Sequence, residues 1–112
     1  MVEGVYLASA HRFVFDVTGP PGSGERVAST RFYVLSAGGR FHRGWDLPSV
    51  PGGSADGYDF AAAETEDPYN AGFYDVQGDV VVFRPVAGIA EPGAVEGGAL
   101  VVEGLRFERT AA

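Results

Sequence analysis

Cysteine is absent from this chain. Disulfide staples, thiolate nucleophiles and zinc–thiolate centres are excluded together, which leaves any core to be held by packing alone. Lysine is absent too: the basic residues are eight Arg, scattered from Arg12 to Arg109, against fifteen Asp and Glu, for a formal charge of −7. A nucleic-acid binder needs a clustered positive footprint to release phosphate counterions, so no nucleic-acid partner is expected. Anionic membrane surfaces are disfavoured on the same electrostatic ground. The apolar runs, such as Val80 to Phe83, fall far short of a spanning helix, so no membrane partner is expected either. Met1-Val2-Glu3-Gly4 opens without the basic and apolar pattern of a signal peptide, and the expectation is a soluble, cytoplasmic protein. Histidine occurs only at His11 and His42. With no paired-His spacing and no Cys, neither a metal site nor a cofactor is expected.

Bulk for a core is present. Apolar residues make up 46% of the 112 residues and aromatics 12%, as eight Phe, five Tyr and Trp45. That is ample for one domain spanning residues 1–112, which at this length buries roughly two-thirds of its unfolded surface. The 17 Gly and seven Pro fall between short runs rich in Val, Phe and Tyr. This punctuation predicts an all-β, antiparallel fold of about seven strands. In the first run, Val5 to Val17, the residues Val5, Leu7, Ser9, His11, Phe13, Phe15 and Val17 share the more apolar face and are expected inward. Gly19-Pro20-Pro21-Gly22-Ser23-Gly24 is a loop, since Pro offers no ladder donor and Gly gains nothing from the pleat. It lacks the Gly-Lys-Ser/Thr of a phosphate loop. Hairpins follow: Arg26–Ser36 with Arg40–Trp45 around Ala37-Gly38-Gly39, Gly72–Phe83 around Gln77-Gly78-Asp79, and Ala99–Arg109 around Glu103-Gly104.

Two stretches break the rhythm. From Pro48 to Tyr69, Pro51-Gly52-Gly53-Ser54 leads into an acidic stretch from Asp56 to Asp67. There Tyr58 to Glu64 predicts one or two helical turns capped by Asp56 or Asp59, read as a lid or plug. Val86 to Gly98, rich in Gly, Ala and Pro, is a shorter break.

The order Arg31-Phe32-Tyr33-Val34-Leu35, Gly39-Arg40-Phe41, Gly72-Phe73-Tyr74-Asp75-Val76-Gln77-Gly78-Asp79-Val80-Val81-Val82 and Leu100 to Arg109 resembles small bacterial lipocalin-like domains of the calycin type. The resemblance covers about two-thirds of the chain. It implies a small up-and-down β-barrel whose interior takes an apolar or amphipathic molecule, and it implies no catalytic residue. The Gly4-Val5-Tyr6 start departs from the family by lacking the Trp of its Gly-x-Trp element. A barrel this small is also one that its own side chains can fill.

Candidate ligand-binding residues are His11, Phe13 and Phe15 on the first run, Arg31 and Tyr33 as polar anchors, Trp45 at a strand end beside Asp46, and Tyr74. Alternation from Phe41 sets His42 on the face opposite that aromatic. Arg31, Tyr33 and Leu35 share one face of their run and Phe32 and Val34 the other, with equal apolar weight. Both faces are therefore expected to be covered, as at a homodimer interface. Three functions are compatible with these residues. The first is non-catalytic binding of a small hydrophobic or amphipathic molecule in a barrel cavity. The second is a cyclase or isomerase steering protons with His11, Tyr33, Tyr74 or Asp75. The third is an acidic interaction or inhibitor module using Asp56 to Asp67.

Overall fold

Local turn chemistry sets the order of the strands. In the computed structural model, residues 2–15, 24–46 and 55–111 are described, with 11–15, 25–28 and 111 in backbone only. Strands β1 (Gly4–Phe15), β2 (Gly24–Leu35) and β3 (Arg40–Trp45) come first. A 3-10 turn (Ala55–Gly57) and helix α1 (Phe60–Glu66) follow. Strands β4 (Ala71–Gln77), β5 (Val80–Pro85), β6 (Glu91–Glu96), β7 (Ala99–Val102) and β8 (Leu105–Ala111) complete the chain. Each strand pairs antiparallel with the next, and β8 returns to β1 to close an up-and-down barrel. Two-residue turns at Gly78-Asp79, Gly97-Gly98 and Glu103-Gly104 make three of the corners. Gly97 and Gly98 both adopt positive φ, the conformation a primed turn requires and glycine adopts without strain.

The barrel has eight strands rather than about seven. The additional one, β6, occupies the stretch Val86–Gly98 that reads as a break. Its Pro92 and Gly93 disguise it, yet Gly93 sits where a side chain has little space: a Cβ there would stand 3.0 Å from Val102 Cγ2 and 3.2 Å from Phe83 Cε2. The expected loop residues Gly19 to Ser23, and Pro48 to Ser54, lie outside the described residues.

An eight-stranded barrel is just wide enough for side chains to fill. Tyr6, Ala8, Tyr33, Leu35, Phe41, Val81, Phe83, Leu100, Val102 and Phe107 form one buried cluster inside it. Tyr33 lies 4.8 Å from Phe83 and 4.9 Å from Phe107 between ring centroids, and Phe41 lies 5.0 Å from Phe83, the separations of packed, tilted rings.

This arrangement corrects the reading of β1. Tyr6 and Ala8 face the interior, while Val5 and Leu7 join Phe32, Val34, Ala55, Tyr58 and Phe60 in a second cluster on the outer face. The segment 55–66 is therefore neither a lid nor a plug: it packs outside the barrel, across β1, β2 and β3. Its helix forms because Asp59 caps it, the Asp59 carboxylate accepting from Ala62 N at 3.0 Å, and because Ala61-Ala62-Ala63 are strong helix formers. Phe60 and Ala63 are its buried residues. Arg40 fastens it to β3 through an ion pair with Glu64. Both faces of β2 from Phe32 to Leu35 are thus covered, but the outer cover comes from this chain.

One pair of strands outruns the barrel. β1 and β2 stay paired from Gly4↔Leu35 to Phe15↔Gly24, whereas β8 pairs with β1 only as far as Leu7 and β3 with β2 only as far as Arg31. The seven pairs from Ser9↔Thr30 outward form a two-stranded arm beside the barrel mouth.

Candidate functional site

The mouth of the barrel, where β3 ends, β6 begins and β7 turns into β8, is closed by a polar layer over the aromatic core. Tyr33 is fully buried among the rings, and its hydroxyl donates to Glu91 Oε1 at 3.1 Å. Burial, and then the Glu91 charge, push its phenol well above the ordinary range, so it is a permanent donor. The same Glu91 oxygen accepts from Arg43 Nη1 at 2.8 Å. Arg43 Nε donates to Asn70 Oδ1 at 3.3 Å and Nη2 to the Tyr69 carbonyl at 3.2 Å, so this guanidinium ties β3, β6 and the chain entering β4 together. Arg31 lies one layer above Tyr33, its Cζ 5.5 Å from the Trp45 ring and 5.8 Å from Phe107. Its Nε is buried without a hydrogen-bond partner among the described residues, leaving the aromatic faces as its compensation.

Glu103 adds a second carboxyl to this layer. It shares a hydrogen bond with Glu91, and that bond and the Glu91 charge raise its pKa against the opposing pull of Arg31 and Arg43. Its backbone is also unusual, at φ 53° in the position of a primed turn that Asn, Asp or Gly ordinarily fills.

The network continues to the outer face. Asn70 Nδ2 donates to Asp67 Oδ1 at 2.9 Å, and Asp67 Oδ2 lies 3.0 Å from His42 Nε2. A carboxylate only accepts, so Nε2 carries a proton and donates to Asp67, while Nδ1 lies 2.6 Å from the Tyr58 hydroxyl. Burial first, then Asp67 and Asp59, push the Tyr58 phenol up to about 12. For Asp67, burial pushes upward, but the bonds from His42 and Asn70 and the charges of His42 and Arg43 more than offset it and hold the carboxyl below its usual range. One chain of hydrogen bonds thus runs from Tyr58 under the outer helix to Tyr33 in the core.

Beside this layer lies an open cleft of about 840 Å³, lined by Arg43, Tyr69, Asn70, Ile89, Pro92 and Glu103 among others. Its rim holds the most exposed large apolar side chains described, Ile89 at 86% and Tyr69 at 65%. A second cleft, about 590 Å³, lies at the opposite end beside Tyr74, Gly39 and Val95.

Of the candidates from sequence, Arg31, Tyr33 and Trp45 come together at the mouth. Tyr74 does not join them: it sits at the far end, its hydroxyl donating to the Ser36 carbonyl. His11, Phe13 and Phe15 lie on the arm, and their side chains are outside the described residues. His42 faces away from Phe41 as expected, packed edge-on to Phe32 at 5.3 Å. Arg43, Glu91, Glu103 and Asn70 escape the sequence reading, and Asp67 enters it only as the end of the acidic stretch. The one local signal among them is Glu103 placed before Gly104, a turn position where a Glu is out of place. Among the described residues, no group of three or more His, Asp or Glu is arranged to hold a metal ion, and no helix is long and apolar enough to cross a membrane.

The class these features define is a closed, eight-stranded antiparallel β-barrel, compatible with a calycin-like fold. No family profile, curated protein or solved structure matches the chain.

Proposed function

We infer that the protein binds a small amphipathic molecule, without catalysis, at the mouth of the barrel. The observation that carries this reading is the cleft itself. It has the volume of a small-molecule site, with apolar walls at Tyr69, Ile89, Ala90 and Pro92 and a charged floor at Arg43, Glu91 and Glu103. The hydrogen-bonded floor is preorganised, which lowers the ordering cost of binding. The rings that fill the interior leave the mouth as the natural place for the ligand that the lipocalin-like order of strands implies.

Trp45 is the only tryptophan and stands in the layer beside this floor, so its emission serves as the reporter. Titration with eight-carbon alkyl chains ending in ammonium, hydroxyl or carboxylate is expected to give saturable one-to-one binding with at least one head group. Ile89→Ser and Tyr69→Ser should weaken it without altering the melting temperature. Failure of all three probes to saturate, or indifference to both substitutions, would overturn the reading.

The acidic-module reading has less support. Asp56 accepts from Ala37 N, Asp59 caps α1, Glu64 pairs with Arg40 and Asp67 binds His42 and Asn70, so most of this acidic segment is engaged within the chain.

A further inference from the structure

The arm formed by β1 and β2 leaves backbone groups open along an edge, and the ladder identifies them. Thr30 O accepts from Asp46 N, so Thr30 points toward β3 and Arg31 toward β1. Along an antiparallel strand these directions alternate, and the β1–β2 register runs without a break. Ala8, the partner of Arg31, therefore points to β2, as do Ala10, Arg12 and Val14. Ser9, His11, Phe13 and Phe15 turn their N–H and C=O groups outward. The Thr110 hydroxyl reaching Val5 O from β8 fits the same alternation. No strand pairs with this edge beyond Leu7 among the described residues.

Among the described residues nothing pairs with the eight backbone groups of these four residues, which stand on a two-stranded ribbon, a structure of marginal stability in water and an edge that recruits another strand. We propose that the strand it recruits is β1 of a second copy, antiparallel to the first about a two-fold axis at Arg12. Residues opposite one another in an antiparallel pair are either both bonded or both unbonded. Only one register then satisfies all eight groups on each strand: Ser9 opposite Phe15 of the partner subunit, and His11 opposite Phe13 of the partner subunit. The contact is isologous, so it closes as a dimer.

Charge favours the same place. Residues 8–31 carry three Arg against Asp16 and Glu25, which leaves −8 on the rest of the chain. Two barrel bodies repel, and the arm is where two copies approach at least cost. The register has one unfavourable feature, because Arg12 meets its own counterpart on the axis. Like charges directly opposite destabilise a strand pair, and salt screens them.

The test is sedimentation equilibrium of the full chain from micromolar to low-millimolar concentration. A monomer–dimer equilibrium that tightens with added salt is expected. Phe13→Pro removes an N–H that faces the open edge, so it spares the β1–β2 ladder and should abolish the dimer. Arg12→Thr removes the like-charge contact and should tighten the dimer roughly two- to fivefold while flattening its salt dependence. Should Phe13→Pro fail to fold, hydrogen exchange on the unaltered chain decides. The amides of Ser9, His11, Phe13 and Phe15 should gain protection with concentration, whereas those of Ala10, Arg12 and Val14 should change little. A chain that stays monomeric throughout, edge amides that exchange independently of concentration, or a folded Phe13→Pro variant that still dimerises would each overturn the proposal.

Discussion

Replacing Gly93 by Ala distinguishes a full barrel from a hollow one. Gly93 lies on β6 with its missing side chain aimed at the interior, where a Cβ would meet Val102 Cγ2 at 3.0 Å, Phe83 Cε2 at 3.2 Å and the Val101 carbonyl at 3.3 Å. Optimal carbon–carbon separation is about 3.5–4.0 Å, so each neighbour must give by several tenths of an ångström. Phe83 is fully buried and held by Tyr33 and Phe41, Val102 is 4% exposed, and the carbonyl belongs to the β6–β7 ladder. None has an easy retreat. Overpacking of this kind costs about 1–3 kcal/mol. Gly93 is not at positive φ, so the Ala backbone is unstrained and the stiffer unfolded chain returns about 0.4–1 kcal/mol. The net loss is about 1–2 kcal/mol, which for a domain of this size lowers the melting temperature by roughly 5–10 °C. A calorimetric melt, with a urea titration to confirm an unchanged slope, reads this directly. An Ala variant as stable as the parent, or more so, would mean the interior has room and would refute the filled barrel.

Three further substitutions probe the polar layer. Tyr58→Phe removes the hydroxyl partner of His42 Nδ1 on a buried ring and should cost about 1–2 kcal/mol in denaturant unfolding, with the helix amides losing protection first. Glu103→Asn puts a residue that tolerates left-handed backbone into its turn and separates the two carboxyls. It should raise the melting temperature while weakening binding at the mouth, a pairing checked by a melt and a Trp45 titration together. Asp67 has a lowered pKa, so its contribution to stability is complete above the unfolded carboxyl value of about 3.9 and is lost as pH falls through the lower folded value. Asp67→Asn should therefore lose stability at neutral pH and show a shallower acid limb. Because the Asp67 side chain is 42% exposed, the effect should be smaller than for a buried pair.

The hairpins are legible in the sequence because turn chemistry is local: Ala37-Gly38-Gly39, Gly78-Asp79 and Glu103-Gly104 each announce a corner without reference to anything distant. The Asp59 cap of α1 is legible for the same reason. Strand β6 is hidden because Gly93 is chosen by the Phe83 ring it faces, a contact made across the sheet, and in sequence that glycine looks like a loop. The inward face of β1 is misread because period-two alternation ranks faces by apolar content. Here the 55–66 segment buries Val5 from outside as thoroughly as the core buries Tyr6. Of the site, Arg31, Tyr33 and Trp45 are visible as polar or aromatic residues in strands. Arg43 and Glu91 meet across 48 positions, and His42 and Asp67 across 25, so nothing near either partner marks the pair.

The proposed binding at the mouth is tested most directly by amide and methyl chemical-shift mapping, which reads it residue by residue. On titration with the alkyl probe that binds best, shifts should concentrate on Tyr69, Asn70, Ile89, Ala90, Glu91 and Glu103, with Leu35, Val81 and Leu100 unmoved. Shifts centred on Leu35, Val81 and Leu100, with the mouth unaffected, would contradict a filled barrel that binds at its rim.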